Sequence, residues 1–144
     1  MNSLNEKDTH DFAFNLAQSA KKGDIYCLIG DLGTGKTIFS KGFALGLDIT
    51  EEVTSPTFNI VSVYDNGRIP LYHFDMYRIE DIEELYNIGF EEYFYGDGVC
   101  LIEWANKVSN EIPTQAKWIY ITKDLNIGEN FRKIEVKQHV SISN

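Results

Sequence analysis

The densest chemistry in the chain lies at residues 30–37, Gly-Asp-Leu-Gly-Thr-Gly-Lys-Thr, which fit G-x-x-x-x-G-K-[ST], the loop that wraps nucleotide phosphates. Gly30, Gly33 and Gly35 let the backbone turn tightly and aim its N–H groups at an anion, with the amides of Leu32 and Thr34 between them. A following helix would present its unpaired first amides to the same anion. Lys36 would reach the β- and γ-phosphates, and the Thr37 hydroxyl would bind Mg²⁺.

Such a loop needs a carboxylate for the metal and a polar group for the attacking water. That carboxylate should end an apolar strand, where the strand tip meets the phosphates. Glu103 directly follows Val99, Cys100, Leu101 and Ile102, and Asp75 follows Leu71, Tyr72, His73 and Phe74. The loop 54–58, Thr-Ser-Pro-Thr-Phe, has the composition of a switch whose hydroxyls, Thr57 among them, could reach Mg²⁺ or a γ-phosphate. Trp104 could pack on the nucleotide, on a partner or in the core. His73 reads as structural rather than catalytic, and Tyr93, Phe94 and Tyr95 as core or a protein contact.

The guanine-reading signatures are incomplete. Asp75-Met76-Tyr77-Arg78 lacks the glycine of D-x-x-G, and Asn106-Lys107-Val108-Ser109 ends in Ser where N-K-x-D needs Asp, so ATP is favoured. A kinase acting on an anionic metabolite needs several arginines for its second substrate, and this chain has Arg68, Arg78 and Arg132.

These residues need a scaffold. Residues 24–29 form an apolar run that reads as a buried strand, and Phe39, Phe43 and Leu47 repeat at helical spacing after Lys36, giving strand, loop and helix in order. The pattern predicts an earlier helix over 8–20, with Phe12, Leu16 and Ala20 on one face, Asp8 as cap and Gly23 past its end. Gly46 should help end the second helix. Strands are expected at 59–64 and 69–74, joined by a type I′ turn at Asn66-Gly67, with Pro70 at an edge or a strand start. A helix over 82–88 stops at Gly89; 99–102 reads as a strand buried on both faces; two further strands at 117–122 and 132–137 flank a turn at Gly128 and Asn130. The expected fold is α/β: a P-loop NTPase-like mixed sheet with flanking helices and antiparallel additions.

At 144 residues, 43% hydrophobic and 24% charged, the chain is expected to form a single P-loop ATPase domain, 1–144. A net charge of −9 disfavours gripping a nucleic-acid backbone unaided. Cys27 and Cys100 sit in strand-like runs without ligand-spaced partners, as core thiols of a reducing cytosol do. No signal peptide or membrane-spanning run is read, so a cytoplasmic protein is expected.

The loop at 30–37, Ser-Pro-Thr-Phe at 55–58, His-Phe-Asp-Met-Tyr-Arg at 73–78 and Leu-Ile-Glu-Trp at 101–104 together resemble TsaE, formerly YjeE, the bacterial ATPase family of tRNA threonylcarbamoyladenosine biosynthesis. The similarity runs from Glu6 to the strand at Arg132. It implies a small ATPase, weak alone, that supports turnover of the TsaB and TsaD proteins. Those partners threonylcarbamoylate the adenosine next to the tRNA anticodon, and tRNA would be met only through their complex. Carried over, Lys36 with the loop amides binds phosphates, Thr37 and Glu103 hold Mg²⁺, and Asp75 belongs to the nucleotide site, making Lys36, Asp75 and Glu103 the catalytic set. Arg132, Glu6 and Thr9 approach the nucleotide from outside the loop. Thr34 replaces the family's usual Ala, and Ala105 and Asn106 follow Trp104 where many members have Pro and Glu; neither change removes a reactive group. A small-molecule kinase and a nucleotide-dependent adaptor without hydrolysis remain the alternatives.

Overall fold

The computed structural model describes residues 1–31, 33–54, 56 and 59–138. Seven strands form one mixed sheet in the order β1-β7-β6-β2-β5-β4-β3. They are β1 (Asn2–Ser3), β2 (Ile25–Ile29), β3 (Val61–Tyr64), β4 (Leu71–Asp75), β5 (Val99–Glu103), β6 (Lys117–Lys123) and β7 (Arg132–Lys137). The centre is parallel: β2 lies between β5 and β6, and β4 runs beside β5. Antiparallel strands close both sides, with β3 on β4 and β7 on β6. The expected P-loop-type α/β architecture with antiparallel additions is the one observed.

Helices cover both faces. On one, α1 (Glu6–Gln18) and α2 (Lys36–Gly46) bury Ala13, Ala17, Phe39 and Phe43 against Tyr26, Leu28, Leu71 and Leu101. On the other, α3 (Ile82–Asn87), α4 (Phe90–Phe94) and a 3₁₀ helix (Ala105–Glu111) bury Leu85, Phe94 and Val108 against Phe74 and Ile102. Each fully buried side chain of this size contributes about 1.5–3 kcal/mol. Cys27 and Cys100 are free thiols of this second layer, and burial pushes Cys100 up to about 12, far from a reactive thiolate. Among the described residues no helix is long and apolar enough to cross a membrane.

Several local expectations change. Helix α1 begins at Glu6 because Asn5, not Asp8, is its cap: Asn5 Oδ1 accepts from the Asp8 amide at 2.8 Å. The Asp8 carboxylate instead accepts from the Leu4 amide at 3.0 Å, so two cap-forming residues share the work. The helix ends at Gln18 with Ser19 as cap, well before Gly23, and the face it buries is Thr9, Ala13 and Ala17, with Phe12 and Leu16 only partly covered. Gly46 is the last residue of α2, as expected, and it also serves packing: a Cβ there would lie 2.4 Å from Phe14 O of α1. Asn66-Gly67 makes no type I′ turn. Strand pairing ends at Tyr64 and Leu71, leaving a longer loop, and Gly67 is pressed against the Leu47 carbonyl, 2.2 Å from where its Cβ would sit. The next residue, Arg68, donates to the carbonyls of Ala17, Gln18 and Ala20 at the end of α1, so tertiary contacts hold this loop open. Pro70 directly precedes β4, which lies inside the sheet. β1, α4 and the 3₁₀ helix have no counterpart in the sequence reading.

Candidate active site

β2 delivers the chain to the phosphate loop at the C-terminal ends of the parallel strands, where open α/β sheets place their ligands. The loop adopts the conformations its glycines permit. Gly33 and Gly35 have φ of +79° and +100°, and Gly30 is crowded from within, 2.6 Å separating the Thr34 Oγ1 from the position of a Cβ. Thr34 is 2% exposed; its hydroxyl and its amide both donate to Asp31 O, closing the turn from inside. Helix α2 follows at once, with Gly35 as its N-cap and, among the described residues, no side-chain cap on its first amides. Those amides and the positive end of the helix dipole are therefore available to an anion.

The two strand-tip carboxylates come to the same place. Glu103 ends β5 opposite Leu28 of β2, and Asp75 ends β4 directly opposite Glu103. Both carboxylates face a cavity of about 940 Å³ that Lys36, Thr37, Gly33, Thr34 and Gly35 line from the other side. Glu6, Thr9 and Arg132 form its outer wall, so residues far apart in sequence converge on one cleft. Leu32 and Thr57, also expected in the site, lie outside the described residues, as do Ser55 and Phe58 of the expected switch.

Local bonds explain how each group is held. Asp75 Oδ1 accepts from the Tyr77 amide at 2.9 Å, and the Met76 amide donates to Glu103 O at 3.0 Å, tying the two strand tips together. Burial pushes the Asp75 carboxyl above its ordinary value, the Tyr77 amide opposes this, and the neighbouring Glu103 adds to the rise. Glu103 is 5% exposed and Oε2 lies 2.8 Å from Nε2 of the buried His73. Lys36 Nζ stands 4.7 Å above the Trp104 ring, a cation–π contact that holds the ammonium beside the loop. Trp104 itself has a φ of +58°, an uncommon value for a side chain this large, and its ring lies 5.0 Å from that of Tyr77. The core placement considered for Trp104 is thus only partial.

Arg132 has a more defined role than general approach to the cleft. Its Nε donates to Thr34 O at 3.0 Å and an Nη to Gly33 O at 3.1 Å, so β7 grips the back of the phosphate loop. Two further bonds go to the carbonyls of Glu129 and Phe131. Thr9 is buried, its hydroxyl 2.7 Å from that of Ser3. Sequence reasoning misses Asn5, Asp31, Tyr77 and Asn130 as lining residues, and Lys123, whose Nζ lies 3.0 Å from where a Gly33 Cβ would sit. Tyr77 carries a signal, since it sits inside the His-Phe-Asp-Met-Tyr-Arg segment; no local signal marks Asn5, Asn130 or Lys123.

Over residues 3–134 the chain matches the family model described as threonylcarbamoyl adenosine biosynthesis protein TsaE. The chain belongs to the TsaE family. The TsaE protein of Bacillus subtilis (strain 168) is 42% identical over 156 residues, covering 99% of this chain and 96% of that one. The TsaE protein of Treponema pallidum (strain Nichols) is 45% identical over 111 residues, covering 77% and 82%. The crystal structure of Bacillus subtilis YdiB superposes with a TM-score of 0.77 at 40% identity, over 93% of this chain and 80% of that one. Membership in the TsaE family sets the chain among proteins of tRNA threonylcarbamoyladenosine biosynthesis.

Proposed function

We propose that the protein binds and hydrolyses Mg-ATP in support of TsaB and TsaD during threonylcarbamoylation of the tRNA adenosine next to the anticodon. The observation that carries this reading is the meeting of the uncapped α2 N-terminus, Lys36 and Thr37 with the carboxylates of Glu103 and Asp75 across one cleft. The donor set fits Mg²⁺, which takes hard oxygen ligands and is held by one or two carboxylates plus substrate phosphates. When bound, Mg²⁺ supplies neutralisation of the charge on the β- and γ-phosphate oxygens.

In this reading the loop amides and the helix end cradle the phosphates. Lys36 leaves the Trp104 face for the β- and γ-oxygens, where its charge offsets the charge of the transition state. Thr37 and Glu103 hold the metal. Asp75, with its raised proton affinity and its place opposite Glu103, orients the attacking water. Arg132 keeps the loop in its binding shape through the carbonyls of Gly33 and Thr34. A net charge of −9 supports contact with tRNA through the partners rather than by this chain alone.

Phosphate release from ATP tests the proposal when measured for the protein alone, with purified TsaB and TsaD, and with tRNA added. The expected result is slow release alone, faster release with the partners, and loss of both in Glu103→Ala. Release that ignores the partners and survives Glu103→Ala contradicts it, and a phosphorylated metabolite formed without them favours a kinase.

A further inference from the structure

His73 and Glu103 form a buried pair that the motif chemistry does not require. On β4 and β5, His73 stands opposite Leu101, and Asp75 opposite Glu103, so all four project from the same face of the sheet. Leu71 and Val99 lie one step further in, inside the apolar core. The imidazole therefore occupies the layer between that core and the carboxylates of the cleft. It is 1% exposed, and its Nε2 lies 2.8 Å from Glu103 Oε2.

The rest of the ring is poorly served. His73 Nδ1 is buried and has no hydrogen-bond partner among the described residues. A buried polar atom without a partner is a cost, and an apolar side chain would fill the same space without it. What the imidazole adds over such a side chain is its bond to Glu103. A glutamate has three side-chain torsions, and this bond fixes the place of one of its carboxylate oxygens. With Oε2 held from the buried side, the carboxylate cannot swing away from the cleft it lines.

We propose that His73 is a positioning residue whose Nε2 bond to Glu103 fixes that carboxylate in the orientation that receives the metal of a bound Mg-nucleotide. The role rests on the Mg-ATP reading above. It concerns orientation: the imidazole touches neither nucleotide nor metal, and it acts through Glu103 as outer partners of metal ligands do.

Three variants separate orientation from bulk. Gln places its amide nitrogen at about the reach of His Nε2, Asn is polar but too short, and Leu fills space without a donor. The readout is calorimetric affinity for ATP in EDTA and across a Mg²⁺ series, which needs no turnover. Affinity in EDTA should stay near that of the parent in all folded variants, because the phosphate loop is untouched. Mg²⁺ affinity in the nucleotide complex should fall about 10–100-fold in His73→Asn and His73→Leu. His73→Gln should remain within about threefold of the parent, the donor being restored. If His73→Leu does not fold, the Gln and Asn pair decides. Parent-like Mg²⁺ dependence in His73→Asn overturns the role, and so does a loss in His73→Gln equal to that in His73→Asn. A parent chain that fails to bind Mg-ATP overturns the reading of the site and this role with it; a parent that binds, with indifferent variants, overturns the role alone.

Discussion

Gly42→Ala should destabilise the protein even though alanine is the better helix former. Gly42 lies within α2 where α1 crosses it, and a Cβ there would stand 2.3 Å from His10 O and 3.1 Å from His10 Cα. The obstructing atoms are backbone, so no side chain can turn aside. Optimal non-bonded separations are about 3.5 Å, so α1 must retreat by roughly 1 Å. That loosens the layer in which Ala13, Ala17, Phe39 and Phe43 interlock. Overpacking of this kind costs about 1–3 kcal/mol. The helix-propensity gain returns about 1 kcal/mol. The difference is a net loss of up to about 2 kcal/mol, or up to about 6 °C in Tm for a domain of this length. Urea and thermal unfolding measure it, with Gly128→Ala as control, since a Cβ at Gly128 meets nothing within 4 Å. Because Glu6 and Thr9 ride on α1 and line the cleft, the same variant should also weaken nucleotide binding. A Gly42→Ala protein as stable as the parent would refute the close-packing argument.

Arg132→Ala removes the donors to Gly33 O and Thr34 O and should lower stability by about 1–2 kcal/mol with a fall in nucleotide affinity; Arg132→Lys restores only part, since an ammonium lacks the fork. Urea melts and calorimetry check both, and unchanged affinity would remove the clamp from the site. Asp75→Asn should raise stability at neutral pH while lowering hydrolysis. Burial raises the folded carboxyl above its unfolded value, so the folded state binds the extra proton. Stability contributed by Asp75 is therefore greatest in acid, declines as pH rises from the unfolded to the folded value, and stays low above it. Asn keeps an acceptor for the Tyr77 amide without the charge, so its advantage should vanish at acid pH. Unfolding midpoints at neutral and acid pH decide this, and an Asp75→Asn protein less stable at neutral pH would contradict it.

The conformation of the 30–37 loop is legible locally because glycines supply the positive φ that residues 33 and 35 adopt. β5 is equally plain, since a strand buried on both faces is apolar up to its tip at Glu103, and the bounds of β7 match the expected 132–137. What fails to show in the sequence depends on distant partners. β1 is two residues long and exists only because β7 offers an edge. Asn5 and Asp8 are both competent caps, and the Ser3–Thr9 hydroxyl contact belongs to the arrangement that starts the helix at Glu6. Asn66-Gly67 has strong turn propensity, overridden by Arg68 reaching the end of α1. In the site, Glu103 and Asp75 can be read from strand tips, but the His73 contact depends on the β4–β5 register across 30 residues. The grip of Arg132 spans 98 residues and has no local signature.

The central claim is that the cleft takes Mg-ATP through Lys36 and the strand-tip carboxylates. Calorimetric titration of Mg-ATP into the parent and into Lys36→Ala tests it most directly. The loop amides persist in the variant, but the charge that meets the β- and γ-phosphates is gone. The account predicts one saturable site in the parent and loss of measurable binding in Lys36→Ala, with both proteins equally folded. Equal affinity in the two proteins, or no binding by the parent, would contradict it.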